Sequence, residues 1–342
     1  MITLPPKIDN KISEILSKDI SNNWLQSAVT LSHKYRLERP EKKQSYINDQ
    51  NDALGYLAVR APSTYSQIYG AISSIKELNP NWKPESILDI GSGPGTAIWA
   101  AVEIFPSIKT GIAIEKDRYF SGLGKTILSQ IPEIKIDWQE ADLQNPSDVS
   151  GKFDLVIIAN VLNEVDEMTG KRIIELAQSH CNGILIITEP GTPYGYEAIK
   201  HSSTLMNSQP YRLIAPYLDN TFVDSLEINF VERIKRPEFQ KRVRHLQRKN
   251  DNQDKSKILP PSDWEESKFY YLAYSNLDTE ITPHVRLIDN PKPLKPFVEL
   301  KVLTGLGIKI ERVFKKDREN YKRAKKLKWG DIITSNFEKQ ML

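Results

Sequence analysis

The stretch that decides the fold is ESILDIGSGPGT, residues 85–96. An apolar run over 86–90 predicts a buried strand, and glycines follow it at positions 91, 93 and 95. Glycines directly after a strand let the backbone approach a ligand closely, and they lead into a helix whose first N–H groups attract negative charge. The stretch therefore predicts a ligand-binding turn between a first strand and a first helix.

Outward from this turn, apolar runs alternate with helical patterns as far as about residue 275. We predict strands over 86–90, 110–115, 134–138, 153–159, 183–188 and 269–274, and helices over 97–104, 119–130, 169–178 and 195–206. Continuous apolar strands are typical of a parallel sheet that is covered on both faces. Their alternation with helices predicts an α/β fold with a doubly wound, Rossmann-like sheet.

The sequence divides into three parts. Residues 1–82 carry helical spacing, and Pro62 is expected to break or start a helix there. Residues 83–278 form the α/β domain, with a polar, basic insertion at about 207–266 that includes a flexible part at 250–256. Residues 279–342 form a C-terminal extension, in which strands 296–303 and 308–314 make a hairpin and a basic helix or arm follows.

The composition indicates a soluble globular protein of 342 residues, 39% hydrophobic and 27% charged. We find no run of about 18 apolar residues that would cross a membrane, and MITLPPKIDN lacks the pattern of a secretory signal. One cysteine, Cys181, cannot form an internal disulfide or supply a cysteine-based metal site. We therefore expect a cytoplasmic protein with no membrane contact and no metal.

The net charge is only +3, but the basic residues are clustered. Residues 232–249 hold eight Lys and Arg against two Glu, and residues 309–328 hold ten against three acids. Two such runs indicate a polyanionic partner, RNA or DNA, although each run alone also fits a solvated helix face. The candidate RNA-binding residues are Arg236, Arg242, Arg244, Arg248, Lys322, Arg323, Lys325 and Lys326. Tyr321 and Trp329 either stack on bases or pack in the core.

Acidic and polar residues follow the strands in an order that suits a nucleoside cofactor. Asp89, two residues before the first glycine, would repel a pyrophosphate but can accept hydrogen bonds from an ammonium or a hydroxyl group. Glu115 ends the second strand, where a carboxylate can hold ribose hydroxyls. Asp142, beside Leu143, follows the third strand and can accept a hydrogen bond from an adenine amine, while Asn160 ends the fourth. The glycine spacing differs from the dinucleotide fingerprint G-x-G-x-x-G.

This order resembles the pattern of class I S-adenosylmethionine-dependent methyltransferases. The resemblance implies S-adenosylmethionine as the cofactor, bound by Asp89, Gly91, Ser92, Gly93, Gly95, Glu115, Asp142, Leu143 and Asn160. The alternative is a glycine turn that has lost its ligand. We expect no ATP site at SGLGKT, residues 121–126, because the first glycine of a P-loop is missing there.

The sequence shows no motif that defines the methyl acceptor. The loop after the fourth strand reads NVLNE, residues 160–164, with neither the prolines nor the aromatic residue of an N-P-P-Y loop. Asn160, Asn163 and Glu189 are the candidate catalytic residues, and residues 189–192 are expected to shape the acceptor cleft. Asn163 and Glu164 are equally suited to capping the helix that follows.

Five phrases carry a closer resemblance. They are YLAVRAPSTY (56–65), EPGTPYGYEAI (189–199), ESKFYYLAYS (266–275), PFVELKVLTGLG (296–307) and YKRAKKLKWGD (321–331). In this order they resemble the methyltransferase-like family associated with the mitochondrial small ribosomal subunit, which also has bacterial members. The resemblance implies a role in small-subunit assembly or translation, with small-subunit ribosomal RNA or its precursor as partner and ribosomal proteins as further partners.

The chain departs from this family in lacking its four cluster-ligating cysteines. The matching region reads IAPYLDNTFVDSLEINFVERIKR, residues 214–236, and the hairpin position is Leu303. We therefore expect no iron–sulfur cluster. The insertion is expected to be held against the sheet by apolar packing of Phe222, Leu226, Ile228 and Phe230.

Two functions remain open from the sequence. The first is an S-adenosylmethionine-dependent methyltransferase that acts on ribosomal RNA. The second is a non-catalytic RNA-binding assembly factor with a structural or vestigial cofactor site.

Overall fold

The computed structural model describes residues 1–19, 22–37, 47–143, 149–206, 210–216, 229–251, 262–277, 285–304 and 307–333. The helices in this part of the chain are α1 (Pro6–Lys18), α2 (Asn23–Leu37), α3 (Gln50–Val59), α4 (Ala61–Leu78), α5 (Thr96–Ile104), α6 (Arg118–Leu128), α7 (Glu167–His180), α8 (Pro193–Met206), α9 (Glu238–Asp251) and α10 (Arg318–Ala324). The strands are β1 (Ser86–Ile90), β2 (Thr110–Ile114), β3 (Lys135–Gln139), β4 (Phe153–Ala159), β5 (Cys181–Pro190), β6 (Arg212–Ala215), β7 (Phe230–Lys235), β8 (Trp264–Ser275), β9 (Val285–Leu287), β10 (Lys292–Pro293), β11 (Phe297–Thr304), β12 (Gly307–Phe314) and β13 (Ile332–Ile333).

Four helices precede the first strand. Ile8 and Ile12 are fully buried on α1, as their spacing predicts. The predicted break at Pro62 is confirmed, since α3 ends at Val59 and Pro62 lies in the first turn of α4, where its missing N–H costs nothing. Within the described residues, no helix is long and apolar enough to span a bilayer.

The central sheet is doubly wound, which confirms the predicted fold class. Its order is β3-β2-β1-β4-β5-β8-β6, and β7 also pairs with β8. The five strands from β3 to β5 are parallel, and β8 runs antiparallel to β5. An apolar cluster covers each face of the sheet. The chain order reverses between β1 and β4, and ligands of such sheets bind at this switch point, beyond the carboxyl ends of the strands.

The predicted insertion contributes two strands to the central sheet. β6 and β7 both pair antiparallel with β8. Because β7 pairs with the first part of β8, that strand begins at Trp264, five residues before the predicted start. The sequence of β7, FVERIK, mixes charged and apolar residues, so no continuous apolar run predicts the strand. Among the described strands, β7 pairs with β8 alone.

One of the predicted apolar anchors of the insertion lies in the described part of the chain. Phe230 is buried, and its ring centre lies 6.0 Å from that of Phe269 and 5.1 Å from that of Tyr271. Phe222, Leu226 and Ile228 lie outside the described residues, as do residues 252–256 of the predicted flexible part.

The C-terminal hairpin is confirmed as β11 and β12, which pair from Phe297 opposite Phe314 to Thr304 opposite Gly307. The structure adds β9, β10 and β13, which complete a second, five-stranded sheet. Each of these three strands is only two or three residues long, so no periodicity marks them in the sequence.

A buried arginine ties the second sheet to the rest of the fold. Arg286 on β9 is 2% exposed, and its Nε donates to the carbonyl oxygen of Pro216 at 3.0 Å. Its Nη1 donates to Ser74 Oγ on α4 and to the carbonyl oxygen of Gly330, both at 2.9 Å. The guanidinium also lies 5.5 Å from the ring centre of Phe230. One side chain therefore joins helix α4, the segment after β6 and the C-terminal turn.

We expect Arg286→Ala to lower the free energy of unfolding by about 3 kcal/mol, because it leaves three buried oxygen atoms without a charged donor. Urea denaturation of the full chain measures this loss. Arg318→Ala, at an exposed position on α10, is the control and should change stability by no more than about 0.5 kcal/mol. Equal stability of the two variants would show that Arg286 does not hold the sheets together.

Candidate cofactor-binding site

The backbone of the glycine turn after β1 has left-handed φ angles, which would be strained in residues that carry a Cβ atom. Gly91, Gly93 and Gly95 have φ angles of +73°, +53° and +88°. The N–H of Gly91 donates to the carbonyl oxygen of Ile114 at the end of β2. A Cβ atom on Gly91 would lie 2.4 Å from Cγ2 of Val161, so the turn is pressed against the loop that follows β4.

Glu115 connects the end of β2 to this turn. Its Oε2 accepts a hydrogen bond from the N–H of Gly93 at 2.8 Å, and its Oε1 accepts one from the N–H of Asp117 at 2.8 Å. Burial raises the pKa of the carboxyl group, and the two backbone donors oppose that shift. The predicted ribose-binding residue therefore lies beside the glycine turn.

Three buried polar atoms at this site have no hydrogen-bond partner in the structure as described. They are Oδ2 of Asp89, Oγ of Ser92 and Oδ1 of Asn160. Asp89 is 1% exposed, and burial, with a further contribution from Glu115, raises its pKa to about 8. Buried polar atoms are almost always hydrogen-bonded, so a group of exceptions at the switch point indicates a place for a polar ligand.

Asn160 links the site to the N-terminal helices. It follows β4 with a φ angle of +57°, and its N–H donates to the carbonyl oxygen of Thr188 at 2.8 Å. Its Nδ2 donates to Oε1 of Gln67 on α4 at 3.1 Å and lies 3.5 Å from Oγ1 of Thr64. Our sequence analysis missed Thr64 and Gln67, because α4 carries several other polar residues, among them Ser63, Ser66 and Ser74, and nothing in the sequence separates these two from the rest.

Glu189 fixes the loop that follows β4. Its side chain is fully buried, and Oε1 accepts hydrogen bonds from the N–H groups of Leu162 at 2.8 Å and Val161 at 3.2 Å. Its Oε2 accepts a hydrogen bond from Nδ2 of Asn163 at 2.6 Å. Burial raises the pKa of Glu189 to about 8, although these donors oppose the shift. Two of the three candidate catalytic residues are therefore engaged with each other.

The alternative that Asn163 or Glu164 caps the following helix is wrong. The N-cap of α7 is Asp166, whose Oδ1 accepts a hydrogen bond from the N–H of Thr169 at 2.9 Å. Asn163 and Glu164 belong to a short 3₁₀ turn upstream of that cap.

Asp142 lies beside the residues that follow β2 and β3. It lines a cavity of about 410 Å³ together with Ile47, Lys116, Asp117, Glu140 and Ala141. Leu143 is buried next to it. The predicted adenine-binding residues thus lie beyond the end of β3, close to the turn that Glu115 stabilises.

The candidate RNA-binding residues differ in exposure. Arg236 is 7% exposed, and its Nη1 donates to the carbonyl oxygen of Ser262 at 2.7 Å and to the Oγ of the same residue. This burial argues against contact between Arg236 and a phosphate. Arg242 is exposed on α9, where Arg244 and Arg248 are half-buried. On and just after α10, all four of the predicted basic residues are exposed: Lys322, Arg323, Lys325 and Lys326.

The two aromatic candidates of the C-terminal run are partly buried. Tyr321 packs against the core of the second sheet, and Lys325 Nζ lies 5.7 Å from its ring centre. Trp329 packs against the large core cluster of the central sheet. Both contacts favour the core-packing alternative for these residues.

The described residues contain no group of three or more His, Cys, Asp or Glu that is arranged to hold a metal ion. Cys181 is buried at the start of β5, and burial raises its pKa to about 11. The expected absence of an iron–sulfur cluster stays a prediction.

A doubly wound sheet with a glycine turn and acidic strand ends around its switch point defines a Rossmann-like protein of the class I methyltransferase type. The chain belongs to the mitochondrial small ribosomal subunit Rsm22 family, which it matches over residues 50–334.

Curated relatives are similar to parts of the chain. Human "Ribosome assembly protein METTL17, mitochondrial" is 23% identical over 159 residues, which are 45% of this chain and 35% of that protein. "Rsm22-cox11 tandem protein 2, mitochondrial" from Schizosaccharomyces pombe is 24% identical over 223 residues, 60% of this chain and 29% of that protein. The chain thus spans about a third of the length of these relatives. Because the family and its relatives carry mitochondrial names, the predicted cytoplasmic localisation is wrong.

Solved structures of methyltransferases are also similar to the chain. The plantazolicin methyltransferase BpumL in complex with SAH is 12% identical, with a TM-score of 0.37, and the match covers 79% of this chain and 96% of that one. The ribosomal protein L11 methylase from Lactobacillus delbrueckii subsp. bulgaricus is 16% identical, with a TM-score of 0.33, covering 59% and 76%.

We expect Gly91→Ala to destabilise the fold by about 3 kcal/mol, because a left-handed φ and a clash with Val161 act together. Gly93→Ala is the matched control. It has the same sign of φ but no atom within 4 Å of an added Cβ, so it should cost only about 1 kcal/mol. Thermal unfolding of both variants measures the difference, and equal costs would show that the two loops are not in contact.

Because of Asp89, the free energy of unfolding should fall as the pH rises. Its pKa is about 8 in the folded chain and about 4 in the unfolded one, so between these values the folded state binds more protons. The stabilisation is complete below about pH 4 and is lost as the pH rises through about 8. Asp89→Asn should therefore gain stability relative to wild type between about pH 5 and pH 8 in urea titrations. Asp137→Asn, at an exposed carboxyl on β3, is the control. If the free energy of unfolding of Asp89→Asn changed with pH in parallel with that of the wild type, the raised pKa of Asp89 would be contradicted.

Proposed function

We propose that this chain is an S-adenosylmethionine-dependent methyltransferase-like protein that acts in small ribosomal subunit assembly, on ribosomal RNA. The observation that carries the cofactor assignment is the group of unpartnered buried atoms on Asp89, Ser92 and Asn160. The ribosomal assignment is supported by membership of the Rsm22 family and by similarity to the human ribosome assembly protein METTL17.

The residues around the switch point fit S-adenosylmethionine. Asp89, Ser92 and Asn160 offer oxygen atoms to the ammonium of the methionine end. At Gly93 an added Cβ would meet no atom within 4 Å, so the turn leaves space there for the ligand. Glu115 would accept hydrogen bonds from the ribose hydroxyls, since each carboxylate oxygen has a second lone pair beyond its present backbone donor. Asp142 would face the adenine amine in the cavity beyond β3.

The residues of the chain would act mainly by positioning. When bound, the cofactor supplies an electrophilic methyl group on a sulfonium. A cationic ligand favours the charged form of a neighbouring carboxyl, so its binding would ionise Asp89 and release a proton. Glu189 would hold residues 161–163 in place at the cleft, and alignment of the acceptor with the methyl group accounts for a large part of such a rate enhancement.

The basic residues of α9 and of the segment around α10 would bind the RNA. Arg242 is exposed on α9, with the half-buried Arg244 and Arg248 on the same helix, and the second group of cations lies on and after α10. Lys and Arg bind phosphates through charge and counterion release, so they give affinity without selecting a sequence.

A non-catalytic assembly factor is the second candidate. It is favoured by the hydrogen bonds of the candidate catalytic residues, because Glu189 and Asn163 bind each other and Asn160 binds Gln67. Side chains engaged in this way stabilise the cleft rather than face an acceptor. In that function the cofactor would stabilise the fold that the assembling subunit recognises.

Calorimetric titration with S-adenosylmethionine tests the cofactor site. We expect micromolar binding by the wild type and affinity at least about tenfold lower for Asp89→Asn, which removes a charged acceptor. Asp137→Asn should bind like the wild type. No binding by the wild type at millimolar ligand would contradict the proposed cofactor.

Transfer of labelled methyl groups from S-adenosylmethionine to small-subunit RNA separates the two functions. Incorporation that Asp89→Asn reduces supports the methyltransferase. Cofactor binding and subunit association without incorporation on any assembly intermediate supports the assembly factor.

A further inference from the structure

The second sheet exposes one face of its long hairpin. Side chains of β11 and β12 alternate between two faces, and the pairing of Phe297 with Phe314 and of Lys301 with Ile310 places these four residues on the same face. We call this surface, made by Phe297, Glu299, Lys301, Ile308, Ile310, Arg312 and Phe314, the outer ribbon face. Glu299 lies opposite Arg312, and its Oε2 is 3.6 Å from Nε of that arginine. The opposite face buries Val298, Leu300, Val302 and Val313 in the core of the second sheet, with Ala324 of α10 packed against them.

Exposed large apolar side chains are enriched in and next to the hairpin. Of the eight that the described residues expose, four lie between residues 294 and 314, and three of these, Ile308, Ile310 and Phe314, lie on the outer ribbon face along β12. Ile310 is 59% exposed and Phe314 is 42% exposed. Contiguous apolar groups of this kind mark an interaction surface, because single exposed apolar residues are normally scattered.

Cations lie directly against the aromatic rings of this face. The guanidinium of Arg312 is 5.0 Å from the ring centre of Phe297, and Nζ of Lys316 is 5.8 Å from that of Phe314. The two rings are themselves 5.5 Å apart, with an angle of 62° between their planes. The segment 292–328 carries 13 Lys and Arg against 4 Asp and Glu.

We propose that the outer ribbon face binds single-stranded RNA. Bases would stack on Phe297 and Phe314, and Lys301 and Lys316 would contact the phosphates, while Arg312 is paired with Glu299. Aromatic rings on a sheet interleaved with cations suit single strands, because every base has a π face and the backbone is anionic at each nucleotide. This inference adds a surface to the proposed function and holds whether or not methyl transfer occurs.

The position of the charges favours RNA over a protein partner. The cores of protein–protein interfaces are depleted of lysine, and charged residues lie at their rims. Here Lys301 lies directly opposite Ile310, and Arg312 lies between Ile310 and Phe314 along β12, where it also pairs with the carboxylate of Glu299. Cations in the middle of an apolar patch suit an occupant with alternating rings and negative charges.

Fluorescence anisotropy of the full chain with a fluorescein-labelled single-stranded RNA of about 16 nucleotides tests the proposal. We expect Phe314→Ala to weaken binding about tenfold or more, and Phe314→Tyr to restore it, because tyrosine keeps the stacking ring. Lys301→Ala should reduce the slope of the logarithm of the affinity against the logarithm of the salt concentration by about one phosphate contact. Trp264→Ala is the matched control, since Trp264 is 37% exposed and lies 4.7 Å from the guanidinium of Arg233 on the other sheet.

Three results would overturn the proposal. One is RNA affinity of Phe314→Ala equal to that of the wild type. Another is full binding by Phe314→Leu, which would assign an apolar docking role to the position. The third is loss of small-subunit association with RNA affinity intact, which would assign the face to a ribosomal protein. Circular dichroism checks the fold of each variant, and unchanged S-adenosylmethionine binding separates failure of this face from failure of the cofactor site.

Discussion

Burial of the parallel strands on both faces is the constraint on which the rest of the structure depends. β1, β4 and β5 lie between two apolar clusters, so a polar side chain in the middle of these strands would be desolvated with few partners. The chain places its carboxyl groups where the strands end. Asp89, Glu115 and Glu189 all lie at this edge of the sheet, next to the point where the strand order reverses.

The three carboxyl groups share burial but differ in their partners. Glu115 accepts backbone hydrogen bonds that join the end of β2 to the glycine turn, and Glu189 accepts donors that hold the loop after β4. Asp89 has one oxygen atom without a donor. Two carboxyl groups therefore shape the crevice, and the third is the one that a cationic ligand would satisfy. The difference in role between Asp89 and the two glutamates follows from their hydrogen bonds, since burial raises the pKa of all three carboxyl groups.

The two flanking parts add surfaces that the central sheet lacks. Helix α4 brings Gln67 to Asn160, so the N-terminal helices complete the crevice. Arg286 anchors the second sheet through hydrogen bonds to three separate segments, which holds the hairpin beside the central domain while its outer face stays exposed. The chain thus carries the candidate cofactor crevice and a basic, aromatic ribbon on separate sheets.

The sequence by itself determined the parallel core, because β1 and β4 are continuous apolar runs whose predicted bounds agree with the structure. It also determined the glycine turn and the acids around it, because Asp89 and Glu115 lie at the carboxyl ends of β1 and β2 and the glycines directly follow β1. Only the tertiary structure decided that β6 and β7 join the sheet, that Glu189 is bound to Asn163, that Arg236 is buried, and that Gln67 reaches the crevice. These features depend on contacts between residues 26 to 93 positions apart, or on strands too short or too mixed to show a period, and local patterns carry no information about such contacts.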